Sequence, residues 1–238
     1  MLQYHILCYE GLCMKKVMSS VSVGLATKVS SICKISFIWG SHISYFSMSS
    51  IIAPVSGAFL GVFGSFLVLL TRCMIHVLFF KAITLSFLAF CIPGYFASLY
   101  WATRSSLIRV IVPLVCIVLF IVHPIGSQAF MYSFYWLLPI LFYMTMYKSL
   151  FLEAFGSTLI AHAVGSVIWL YTAPTTVEMW LGLIPVVLIE RLLFAIGMVV
   201  MYKAIMWIKN DDKASCMYYG WKQAMGSKKW TNAFRRSS

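Results

Sequence analysis

Acidic side chains are scarce: the 238 residues hold six Asp and Glu against eighteen Lys and Arg, and charged residues of both signs make up only 10%. Soluble domains run near a quarter charged and about half apolar. This chain is 62% hydrophobic with a mean hydropathy of +0.92, which excludes a soluble fold. Aspartate occurs only at Asp211 and Asp212, so no aspartate pair for metal-assisted phosphoryl transfer lies inside the apolar part. Glycine-rich phosphate loops, His-Glu-x-x-His and Gly-x-Ser-x-Gly are also missing. These absences argue against an ATPase, a protease or a metal hydrolase. The seven cysteines are scattered, with no CxxC and no Cys/His cluster. Neither a zinc site nor a disulfide framework is supported, and no metal or cofactor is expected. Internal repeats are lacking too, so nothing points to an inverted-repeat transporter.

What is present is hydrophobic length. Apolar runs predict an all-α integral membrane protein, a compact bundle of about six transmembrane helices at 48–70, 83–101, 107–123, 129–147, 151–172 and 180–203. Arg72 to Lys81, Arg104, the His123-Pro124-Ile125-Gly126 turn, Lys148 and the Thr172-Ala173-Pro174-Thr175-Thr176 stretch mark the breaks. Three regions follow: a basic N-terminal segment (1–42), the bundle (43–206) and a basic, aromatic-rich tail (207–238).

Net charge is +12, and residues 203–238 contribute eight Lys/Arg against two Asp. That tail predicts a cytoplasmic C-terminus by the positive-inside rule. Counting back places Lys148 and Arg104 inside, and the N-terminal lysines inside as well, so both termini are expected in the cytoplasm of a multi-pass protein of the cell membrane. The tail's Trp207, Trp221 and Trp230 suit a segment lying on membrane lipid, and no nucleic-acid partner is expected. One loop disagrees, since 72–81 falls outside despite Arg72 and Lys81. A re-entrant or broken segment between 72 and 101, interrupted at Pro93-Gly94, is one way out.

Two helices carry stripes of small or polar residues. In the first span Ser49, Ala53, Gly57, Gly61 and Ser65 recur every fourth position, letting another backbone approach closely. Either a neighbouring helix of the same bundle or a separate membrane subunit would fit there. In the fifth, Glu153, Ser157, Ala161, Gly165 and Trp169 form one row, with Thr158, His162 and Ser166 beside it. Such a face is expected to point away from lipid. Glu190 and Arg191 sit mid-way along the sixth span, about 100° apart on the helix, and each is expected to have its own partner. Glu153 is a candidate for Arg191, and Arg109 or a ligand for Glu190. They act either in ligand handling or as a structural ion-pair network.

The architecture resembles the substrate-binding S-components of energy-coupling factor transporters: six short spans, both termini inside, and small residues on the first helix at Ser49, Ala53, Gly57 and Gly61. The resemblance covers about residues 43–206. It implies capture of a vitamin-like or related micronutrient, and docking through those small residues to a transmembrane coupling subunit with separate ATPases. The residues expected to bind substrate are Glu153, Ser157, His162, Glu190 and Arg191. Two other readings stay open: an intramembrane enzyme acting on a lipid-borne substrate through His162 with Glu153 or Glu190, and a membrane scaffold with no substrate.

Overall fold

The computed structural model describes residues 17–30, 34–37, 45–47, 49–80, 85–145 and 149–234, and their side chains except those of 34–37, 45–47, 80, 85–86 and 209–234. The described chain is helical apart from one short antiparallel pair, β1 (Lys34–Phe37) with β2 (Tyr45–Ser47). The helices are α1 (residues 17–30), α2 (Ser49–Phe80), α3 (Leu85–Ala102), α4 (Val112–Val122), α5 (Pro124–Gln128), α6 (Leu137–Met144), α7 (Leu150–Thr172) and α8 (Val177–Phe234). A widened π-helical turn, Leu107–Ile111, leads into α4, and a 3-10 segment, Phe130–Trp136, leads into α6.

Three stretches are long and apolar enough to cross a membrane by length and composition: Ser49–Phe79, Leu150–Thr172 and Val177–Ile208. Three shorter apolar helices, Phe87–Ala102, Leu107–Val122 and Phe130–Met144, fall below 18 residues. The outer surface is apolar as well, with Leu78 and Phe79 each 76% exposed and Phe90 74% exposed. A water-facing protein rarely shows so much contiguous apolar surface.

The first long stretch is not one straight helix. Gly61 takes φ 71 and ψ −170, a left-handed conformation that costs an L side chain energy and that glycine adopts freely. In a straight helix Ala53 and Arg72 would stand about 28 Å apart. Both instead lie beside Gly94, where an added Cβ would be 3.7 Å from Ala53 Cβ and 3.9 Å from Arg72 Nη1. Gly57 meets Ser98 and Ala53 meets Gly94, so residues 49–60 run parallel to α3. His76 stacks on Phe87 while Arg72 reaches Gly94, so residues 62–80 run antiparallel to it. α2 is therefore a helical hairpin around Gly61, with α3 packed along both halves.

That geometry corrects three expectations. A single span at 48–70 is replaced by the two halves of the hairpin. Arg72 marks no loop: the helix continues to Phe80, and Arg72 is buried within it. Pro93 and Gly94 do not interrupt α3, which is continuous through both. The break the sequence required lies at Gly61, where a backbone angle rather than a charge or a proline makes it.

The N-terminal region is not wholly separate from the bundle. In α1 the Ser20 and Thr27 side chains are fully buried, Gly24 abuts Thr71, and Lys28 Nζ is 3.4 Å from His76 Nδ1. α1 thus runs beside the second half of α2. Lys15 and Lys16, in the basic N-terminal segment, lie outside the described residues.

α7 lies antiparallel against α3. The Ser157 hydroxyl donates to the Ala97 carbonyl at 3.0 Å, and Gly165 leaves room for the Pro93 ring. An aromatic core joins α4, the 3-10 segment, α7 and the start of α8, built on Phe120, Tyr132, Trp136, Leu170, Trp180 and Val187. The compact unit closes at Val199, and residues 200–238 form a second unit, with the α8 helix continuing to Phe234. No helix break occurs at 206/207, and the tail's side chains beyond Ile208 lie outside the described residues.

Candidate functional site

The polar residues separate into two groups with different degrees of internal satisfaction. The first sits where the π-turn meets α7. Pro113 lacks the N–H that would bond the Arg109 carbonyl, and its ring needs space there. The widened turn supplies that space, with the Val112 N–H donating to Leu107 O. Arg109 is thereby directed inward and is only 4% exposed. Its Nη1 donates to Glu153 Oε2 at 3.0 Å, and its Nη2 to Glu153 Oε1. The same Nη2 donates to the Tyr100 carbonyl at 2.7 Å, Nε to the Thr103 carbonyl at 3.3 Å, and the guanidinium lies 4.0 Å from the Tyr100 ring. Arg104 adds a looser contact to Glu153 at 3.8 Å. A bidentate pair with these further partners leaves little capacity for a ligand.

Glu153 therefore does not reach Arg191, and Arg109 does not reach Glu190. Ser157, buried and bonded to α3, faces away from the second group. Both are engaged by partners within the chain, Glu153 by Arg109 and Ser157 by the Ala97 carbonyl.

The second group surrounds Tyr132. The rings of Trp180, His162 and Trp136 have centroids 4.9, 5.3 and 6.0 Å from that of Tyr132. Its hydroxyl is 3.3 Å from Ser166 Oγ on α7. The Thr158 hydroxyl donates to the Phe155 carbonyl at 2.9 Å within α7 and lies 3.5 Å from the Arg191 carbonyl of α8. Tyr135 Oη donates to the Ile184 carbonyl at 2.9 Å.

Glu190 and Arg191 pair with each other, Nη2 to Oε2 at 3.2 Å, contrary to the expectation of separate partners. The 100° between neighbouring Cβ atoms is a statement about the backbone. Long side chains in apolar surroundings bend back to meet when no better counter-charge is near. The Arg191 guanidinium also lies 5.0 Å from the Phe194 ring.

Four buried polar atoms in this region have no hydrogen-bond partner among the described residues: His162 Nε2, Glu190 Oε1, Trp136 Nε1 and Trp180 Nε1. Buried polar groups are nearly always bonded, and each exception calls for an explanation. The set comprises two indole donors, one carboxylate acceptor and one imidazole nitrogen that serves either way. The sequence pointed to His162, Glu190 and Arg191 but missed Tyr132, Trp136 and Trp180. The available signal was the run Phe130–Trp136, in which five of seven residues are aromatic.

The small-residue stripe of the first helix is covered within the chain. Ser49, Ala53 and Gly57 are buried, and a Cβ on Gly57 would stand 2.0 Å from the Ser98 carbonyl oxygen. Gly61 forms the hairpin turn, with nothing within 4 Å of its Cβ position. The stripe thus serves close packing against α3 inside the bundle. Comparison with protein-family models, curated proteins and solved structures finds no match to this chain.

Proposed function

We propose that this chain is a multi-pass subunit of the cell membrane that captures a small polar, vitamin-like molecule at the centre around Tyr132. The observation that carries the reading is that four buried polar atoms, on α7, on α8 and in the segment Phe130–Trp136, have no hydrogen-bond partner among the described residues, three of them on side chains packed edge-on against the Tyr132 ring. Leaving each such atom unbonded costs about 1–3 kcal/mol, so a ligand that bonds several of them recovers a large part of that cost. The donors and acceptors suit a planar, polar molecule, and the rings suit its faces. His162, Glu190 and Arg191 are the ligand-contacting residues in this reading, with Trp136 and Trp180 as donors.

The basic tail, Arg104 and Lys148 support an orientation with both termini in the cytoplasm for a bundle of about six crossings. Energy for release into the cell would come from another polypeptide, as in the energy-coupling factor transporters, although the docking stripe of that resemblance is buried here. The mutual pairing of Glu190 and Arg191 favours the scaffold reading for those two residues, but leaves His162 and the two indoles without a role. Glu190→Gln combined with Arg191→Met tests the assignment. Capture predicts a folded protein that has lost ligand retention and uptake, whereas unchanged retention and uptake contradict it.

A further inference from the structure

Arg72 is 7% exposed, and its Nε has no partner. Among the described residues the three ion pairs join Arg104 and Arg109 to Glu153, and Arg191 to Glu190. The remaining carboxylate with a described side chain, Glu178, is exposed in the first turn of α8. No carboxylate among the described residues therefore balances Arg72. A buried charge persists in an apolar bundle only when something pairs with it.

The guanidinium borders a cavity of about 10 Å³ between α3 and the two halves of α2, lined also by Ala53, Ser65, Gly94, Tyr95 and Ser98. That volume admits one particle the size of a water molecule. The Ser65 and Ser98 hydroxyls already donate within their own helices, to Gly61 O and Tyr95 O, each at 2.8 Å. Lys28 Nζ lies 3.4 Å from His76 Nδ1, one turn beyond Arg72. Water would fill the space but would not neutralise the charge.

We infer that Arg72 holds a monatomic anion, a halide, in this cavity at the centre of the α2 hairpin. The ion neutralises the guanidinium and ties the second half of α2 to α3. The space is closer in size to a monatomic ion than to a polyatomic oxyanion. The site is independent of the centre around Tyr132.

The test uses the full-length protein in non-ionic detergent, dialysed into gluconate. Unfolding is followed by tryptophan fluorescence in chloride, bromide, gluconate or inorganic phosphate at one ionic strength. The expected result is a Tm that climbs with the logarithm of chloride or bromide, on the order of 5 °C up to about 100 mM, and stays flat in phosphate. Gly94→Ala adds a methyl group to the cavity at ordinary contact distances of 3.7 and 3.9 Å from its neighbours. This variant should fold and lose the halide increment. Arg72→Gln should lose it too; if that variant fails to fold, Gly94→Ala decides. An equal response to all salts, no halide response, a response to phosphate alone, or an increment surviving in Gly94→Ala would each overturn the inference.

Discussion

Arg109 grips Glu153, 44 residues further along the chain, through both carboxylate oxygens, and joins the π-turn to the first turn of α7. This pair is buried at its arginine end and half-open at its glutamate end, with side-chain exposures of 4% and 19%. Removing one partner strands the other. Glu153→Gln or Arg109→Met should destabilise the fold by about 3–5 kcal/mol, measured as thermal or denaturant unfolding in detergent. Replacing both with apolar residues should recover much of the loss. Arg104→Ala should change little, because that side chain is 54% exposed and its contact is long.

The α2 hairpin gives a second expectation. Gly57→Ala forces a Cβ against the Ser98 carbonyl, 2.0 Å away, where neither backbone yields easily. Gly61→Ala meets open space but must adopt φ 71 with ψ −170, at a cost of roughly 1–3 kcal/mol. Gly182→Ala, with nothing within 4 Å and a helical backbone, should be neutral or stabilising by up to about 1 kcal/mol. The order of Tm values, Gly182→Ala above Gly61→Ala above Gly57→Ala, checks the hairpin. A straight α2 would remove the penalty at Gly61.

The indoles at the centre offer a third expectation. Trp136→Phe and Trp180→Phe keep a ring in the core while deleting an unpartnered donor. Each variant should still fold, with stability lowered by about 1–3 kcal/mol by the void the smaller ring leaves in the core. Ligand retention should fall on the order of tenfold in each variant, one hydrogen bond's worth of affinity. Equilibrium binding with the molecule recovered from the wild-type protein measures it.

Much of the helical framework was legible in the sequence because long apolar runs leave few alternatives. All six expected segments contain helix, and the breaks at Arg104, His123 and Ala173-Pro174 fall in connections, whereas Pro124, Ile125 and Gly126 lie in the short helix α5. The hairpin was not legible. Gly57 and Gly61 look alike as small residues four apart, and only the backbone shows that one is packed and the other turns the chain. Arg72 looked like a boundary because a charge in an apolar run usually marks one; its burial beside α3 depends on contacts distant in sequence.

The site was half legible. His162, Glu190 and Arg191 stood out because ionisable groups are costly in apolar segments. Tyr132, Trp136 and Trp180 did not, because aromatic residues are expected throughout such segments. Their indole N–H groups become informative only once burial shows that nothing among the described residues bonds them. Glu153 was visible for the same reason as Glu190, but its partner could not be read from helix periodicity. The π-turn aims Arg109 at it.

The most direct measurement is mass spectrometry of small molecules that accompany the full-length protein through purification in mild detergent, beside a folded Glu190→Gln, Arg191→Met double variant. The expected result is a small polar molecule, stoichiometric with the wild-type chain and missing from the variant. Wild-type and variant preparations that are equally empty, or that carry the same molecule in equal amount, would contradict the assignment of the Tyr132 centre as a capture site.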